Sequence, residues 1–174
     1  MKGVKMYRNT PKPQNKSAKS CALICLIVGA CTFGFSNAEF ISLKWLLQTV
    51  GIVFFAASIY IASVYLLRYY TFAVTQRENT QSYYLVINEL KGKKGVTVCR
   101  IGLDDITSAR VVDKQNKKTV SEERRNKQRY TYDVTFLPQK QIEITALVDE
   151  ENLSILITYD ENLLAIIENN IKDR

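Results

Sequence analysis

The chain is poor in groups that do chemistry. It has no histidine, which removes the commonest general base, the Ser/His and Cys/His nucleophile pairs, and His-based metal sites. No glycine pattern of the phosphate-cradling kind occurs; beyond residue 68 the only glycines are Gly92, Gly95 and Gly102. Asp104-Asp105 has the residue types of an acid/base pair, but neighbours on a strand point to opposite faces, so a turn or cap role is expected. Asp149-Glu150-Glu151 offers the hard oxygen ligands a divalent cation takes, yet reads first as a solvated acidic turn. The expectation is a non-enzymatic protein with no cofactor and no metal.

Two basic stretches are better candidates, for binding rather than catalysis. Lys91-Gly92-Lys93-Lys94-Gly95 joins two strand-like runs and could present ammonium groups to a lipid phosphate; the same residues also make an ordinary solvated turn, with Gly supplying positive φ. The second stretch, "DKQNKKTVSEERRNKQR" at 113–129, holds seven basic and three acidic side chains. Its cations are Lys114, Lys117, Lys118, Arg124, Arg125, Lys127 and Arg129. It is the longest segment without a strand pattern, and long loops in compact domains are often functional or disordered. Thr119 and Glu122 have capping-box spacing, which suggests a short helix inside it. If both stretches face a membrane, each Lys or Arg near an anionic leaflet adds roughly 1 kcal/mol of attraction.

The elements that must position these residues begin with two apolar runs. Residues 20–38 carry no charge and are long enough to span. The run 45–67 has 23 uncharged residues, roughly 34 Å of helix, with Trp45 at one end and Tyr65, Tyr69 and Tyr70 at the other as interfacial aromatics. Ser36-Asn37-Ala38 also suits a signal-peptidase site, and Val28-Gly29-Ala30-Cys31 loosely matches a lipobox. Acylation of Cys21 is a further alternative. The favoured reading is an uncleaved hairpin with outer loop 39–44. Small residues at Ala30 and Gly34, and at Ser58 and Ala62, have the spacing for helix contact. Six Lys/Arg precede the first run and Arg68 follows the second, so the positive-inside rule puts both ends in the cytoplasm of a multi-pass inner-membrane protein. Even a cut at Cys31 or Ala38 leaves residues 69–174 on that side.

Charge by segment corrects a first impression. The formal +7 arises from the tail 1–19, at +6, and Arg68, while residues 69–174 hold 16 basic and 16 acidic side chains. A nucleic-acid partner therefore loses its support. The tail reads as basic, disordered and drawn to anionic headgroups. Within the cytoplasmic part, residues 91–129 sum to +7 and 130–174 to −6. Cys21, Cys25 and Cys31 lie in the first run and only Cys99 beyond it, with no CxxC pair, which suits a reducing compartment.

Residues 69–174 read mostly as strand. "YYTFAVTQ", "SYYLVINEL", "VTVCRIGL" and "ITSARVV" are four strand-like runs. Tyr130, Tyr132, Val134 and Phe136 alternate with polar residues, and Ile142, Ile144, Ala146 and Val148, then Leu153, Ile155, Ile157 and Tyr159, recur at the same period of two. The period then changes. Asp160 is a cap candidate, and Leu163, Leu164, Ile167 and Ile171 predict a helix over about 160–173.

This order, carried by "RYYTFAVTQ", "INELKGKKG", "IGLDDITSARVV" and "ILITYDENLLAIIENNI", resembles the bacterial pleckstrin-homology (PH)-like membrane proteins over residues 45–174. The resemblance implies an α+β membrane protein: a transmembrane hairpin followed by an antiparallel β-roll of about seven strands plugged by the C-terminal helix. That family is not generally catalytic. The expected function is a membrane-anchored adaptor whose PH-like domain binds a protein partner or its own copies. The alternatives are a reader of anionic lipid headgroups and an accessory subunit of a transport complex. No ionisable residue interrupts the spans, which argues against a transport path inside the chain.

Overall fold

The computed structural model describes residues 4–11, 15–36, 44–76, 82–92 and 94–172. It divides the chain into two units, residues 14–68 and residues 1–13 with 69–174.

The first unit is a pair of helices, α1 (Lys16–Phe35) and α2 (Lys44–Tyr65). Both are long and apolar enough to cross a membrane, and only 17% and 11% of their most apolar windows are buried. A core helix of a water-soluble domain would be mostly covered; here Leu23, Ile27, Ile52, Val53 and Ile59 are open all along the pair. The uncharged run marked the apolar span from residue 20, but α1 begins at Lys16, because nothing in residues 16–19 breaks a helix. Most of the expected outer loop, 39–43, lies outside the described residues, and Lys44 is the first residue of α2.

The helices meet through small residues. A Cβ on Gly29 would lie 3.1 Å from the Gly51 carbonyl oxygen, and one on Gly51 would lie 3.2 Å from the Gly29 oxygen, so the backbones touch there. Ser58 Oγ donates to the Ala22 carbonyl at 2.8 Å, and Asn15 Nδ2 donates to the Tyr65 carbonyl at 2.6 Å. Ser58 thus belongs to the contact as its spacing suggested. Ala30 and Gly34 do not: both are exposed, and nothing lies within 4 Å of a Cβ on Gly34.

The second unit is two four-stranded sheets around one core. Sheet 1 has the order β1 (Val4–Asn9), β2 (Arg68–Gln76), β3 (Tyr83–Lys91), β4 (Lys94–Gly102). Sheet 2 is built from β5 (Ile106–Asp113), β6 (Gln128–Tyr132), β7 (Lys140–Val148) and β8 (Glu151–Thr158), in the order β5-β7-β8-β6. Phe72, Val74, Leu85 and Ile87 of sheet 1 and Ile142, Ile144, Ile155 and Ile157 of sheet 2 are almost wholly buried in one cluster. The C-terminal helix α4 (Glu161–Lys172) adds Leu163 and Ile167 to it, both at 0% exposure. Strand alternation and helical period converge on the same core.

Three features differ from the sequence reading. The tail expected to be disordered is, over Val4–Asn9, an edge strand antiparallel to β2. Its pairing is long-range, so no local pattern announces it. The strand expected through Val134 and Phe136 stops at Tyr132, because Asp133 turns the chain by accepting from the Thr135 amide at 2.8 Å. Finally, β6 does not pair with β7. It crosses to the far side of β8 and runs parallel to it, Gln128 opposite Leu153 and Tyr132 opposite Ile157, so sheet 2 is not purely antiparallel.

Candidate functional site

The basic turn sits between β3 and β4, with Gly92 at φ 62 as that backbone requires. Lys91 and Lys94 are exposed, and Lys91 Nζ lies 3.4 Å from Glu89. Lys93 lies outside the described residues. Tyr69 Oη donates to the Gly92 carbonyl at 3.4 Å, which ties this turn to the residue immediately after Arg68.

The second basic stretch is not a loop standing in solvent. It forms a turn, then α3 (Lys117–Glu123), then a 3₁₀ turn at Arg124–Asn126. Thr119 lies inside α3 and caps nothing. Asn116 precedes the helix, and its side chain instead accepts from the Asp113 amide at 2.9 Å and donates to the Val111 carbonyl at 2.9 Å. Val120 packs with Val112 and Leu156, so the segment lies on the face of sheet 2 turned away from the core.

Beside that apolar contact is a buried polar network. Glu143, with no side-chain exposure, accepts from Arg110 Nε at 2.6 Å and from Ser154 Oγ at 2.7 Å. Arg110 also pairs with Glu123 of α3. Arg124, 8% exposed, donates through Nε to Ser154 Oγ at 2.7 Å and through Nη2 to the Tyr130 carbonyl at 3.2 Å. Burial lowers the Arg124 pKa, opposed by the Glu143 carboxylate. For Arg110 burial also works against the charge, but the hydrogen bonds to Glu123 and Glu143 outweigh it and the pKa rises. Arg124 thus holds the α3 segment onto sheet 2, and its guanidinium is buried rather than presented at the surface. Lys127 is half-buried, with Nζ 3.5 Å from Thr145 Oγ1. Lys114, Lys117, Lys118, Arg125 and Arg129 remain exposed.

Register separates these cations. Asp113 pairs with Lys140 and Gln141 with Thr158, so Lys114 follows β5 at the end where β8 finishes. Arg129 pairs with Ser154, four residues back along β8, or about 13 Å. The β3–β4 turn belongs to the first end, because β2 starts there. Lys114 and Arg129 therefore stand at different heights along sheet 2. The end where the chain enters and leaves the helix pair holds Lys91, Lys94 and Lys114, whereas Arg129 lies toward the other.

The acidic candidates resolve into turns. Asp104 and Asp105 lie in a 3₁₀ turn, Leu103–Asp105. Asp149 and Glu150, at φ 50 and 68, are the two-residue turn between β7 and β8, and Glu151 accepts from Gln128 Nε2. Among the described residues no group of three His, Cys, Asp or Glu can hold a metal ion. Burial pushes the Cys99 thiol up, opposed by a hydrogen bond with Tyr132, so this cysteine is not activated.

Sequence reasoning missed the hub at Asp160. Its Oδ1 accepts from the Asn162 and Leu163 amides at 3.1 and 3.2 Å, the cap that the sequence predicts for α4. Its Oδ2 accepts from Tyr7 Oη at 2.5 Å and Asn9 Nδ2 at 2.7 Å, clamping β1 onto α4. Burial, then Asp160, raises the Tyr7 pKa to about 12. Compared with known proteins, the chain matches no family model, no curated protein and no solved structure.

Proposed function

We propose that the chain is a non-enzymatic adaptor held in the inner membrane by its helical hairpin, with a PH-like domain on the cytoplasmic side. The pairing of β1 with β2 supports the topology, because one strand precedes α1 and the other follows α2. Two crossings return the chain to the side it left, so a sheet built from both flanks needs an even number of spans. The excess of Lys and Arg on both flanks of the hairpin supports the cytoplasm as that side. The same pairing opposes cleavage at Cys31 or Ala38, which would remove β1.

The adaptor reading rests on β4, a nine-residue edge of sheet 1. Lys94 to Thr97 are exposed and Val96 is 65% open. An edge strand that leaves an apolar side chain open can take a strand from a partner or a second copy. By contrast, β5 is covered by α4 and β6 is only five residues long. A photo-crosslinking residue at Val96 in the intact membrane should give one discrete adduct, at twice the chain mass for self-association or at another mass for a partner. Thr97→Pro should abolish it. Adducts no stronger than those from the same probe at exposed Leu147 would contradict the reading. A reader of anionic headgroups is the second reading, favoured by the Tyr69–Gly92 bond that fixes a basic turn at the membrane exit.

A further inference from the structure

Leu137, in the turn between β6 and β7, is the most exposed large apolar side chain among the described residues, at 77%. It also has φ 57, the left-handed region that a Cβ disfavours and that Gly or Asn enters more readily. Asp149 and Glu150 share that conformation, but they are polar and form a tight hairpin. Leucine here combines a strained backbone with an apolar side chain left open.

The turn is braced from below. Asp133 Oδ1 accepts from the Thr135 amide and from Thr158 Oγ1 at 3.0 Å, and its Oδ2 accepts from Gln141 Nε2 at 2.7 Å. Asp133 thereby ties the first leg of the turn to both β7 and β8, and Pro138 follows Leu137 with its φ fixed by the ring.

Its position says what it meets. The turn leaves β6 beyond Tyr132, whose ring lies 5.5 Å from that of Tyr70. Arg68, the end of the hairpin unit, is two residues from Tyr70, at most about 7 Å of chain. Thr158, which braces the turn, is two residues from Asp160, which holds Asn9 on the segment leading to α1. Both covalent connections to the apolar helices thus leave from the end that presents Leu137. Lys140, the first residue of β7, and Lys94, the first residue of β4, are exposed cations of that end. Of its carboxylates, Asp113, Asp133 and Asp160 are taken up by hydrogen bonds and Glu89 by Lys91, while Glu161 stays exposed.

We propose that Leu137 is an interfacial anchor: it enters the boundary between headgroups and acyl chains of the bilayer that holds the hairpin, with Lys140 and Lys94 at the level of anionic headgroups. This rests on the hairpin spanning the membrane. The occupant is lipid because the leaflet is brought within reach by the chain's own two connections, and an apolar tip flanked by ammonium groups matches an anionic interface.

The test uses the full chain in bilayers of phosphatidylcholine and phosphatidylglycerol with brominated acyl chains. Trp45 is the only tryptophan. In the unaltered chain its quenching reports insertion of the hairpin. In Trp45→Phe chains, Leu137→Trp reports the turn, and Leu147→Trp reports an exposed site near the opposite end of β7. Matched circular dichroism establishes that each variant is folded. The proposal expects blue-shifted emission and loss of most intensity for Leu137→Trp, with Leu147→Trp unquenched. Quenching of Trp45 but not of Leu137→Trp, with the latter open to aqueous iodide, overturns the anchor and leaves the hairpin standing. Equal quenching at both sites also overturns it, because the domain would then lie flat. An unquenched Trp45 overturns the hairpin and the anchor together.

Discussion

Glu143 lies between Ile142 and Ile144, and period two correctly puts it on the face opposite the core. What the pattern cannot say is that α3 covers that face. The signal was present in out-of-phase apolar residues, Val112, Val120 and Leu156, which the alternation leaves without a partner. Removing one member of a buried charged network strands the others, so Glu143→Ala should cost about 3 kcal/mol in detergent-solubilised protein. Denaturant unfolding measures this, and a loss under 1 kcal/mol would mean that water reaches the network. Leu137 predicts the opposite sign. Leu137→Asn relieves the left-handed strain and should stabilise by about 1 kcal/mol. Tyr7 and Tyr132 both have pKa values raised to about 12. The folded state holds these protons more tightly than the unfolded chain, so their stabilisation is complete below pH 10 and falls as pH rises from 10 toward 12. The thermal midpoint should drop over that window, and less so in Tyr7→Phe.

At the level of elements, the sequence was most informative where period was strong. Both long helices, the seven strands from β2 to β8 and α4 were legible, because each repeats its pattern over eight or more residues or is bounded by clear turns. β1 was not, because "VKMYRN" owes its structure to β2 and to Asp160 rather than to its own alternation. The parallel placement of β6 was equally hidden, since strand order depends on tertiary packing. In the hairpin, small residues announce contact, but only the structure selects Gly29 and Gly51 over Ala30 and Gly34. Gly29→Leu should therefore push the helices apart, since its Cβ already meets the Gly51 carbonyl at 3.1 Å. A disulfide between cysteines introduced at Ala22 and Ser58 should form readily in the parent and poorly in that variant. Equal yields would contradict the contact.

For the whole molecule, the described candidate cations are spread between the β3–β4 turn and the outer face of sheet 2, with Arg124 buried in the fold. Charge sums over sequence windows could not reveal this, because residues 113–129 run along a sheet rather than around one end. The proposed topology requires the two flanks of the hairpin to lie on one side of the membrane. The direct measurement is labelling with a membrane-impermeant maleimide in a chain whose four cysteines are changed to serine. Single cysteines would be introduced at Arg8 in β1, Lys172 in α4 and Glu39 between the helices. The account predicts that Arg8→Cys and Lys172→Cys react only from the cytoplasmic side and Glu39→Cys only from the outside. Reaction of Arg8→Cys and Lys172→Cys from opposite sides, or of Glu39→Cys from the cytoplasmic side, would contradict it.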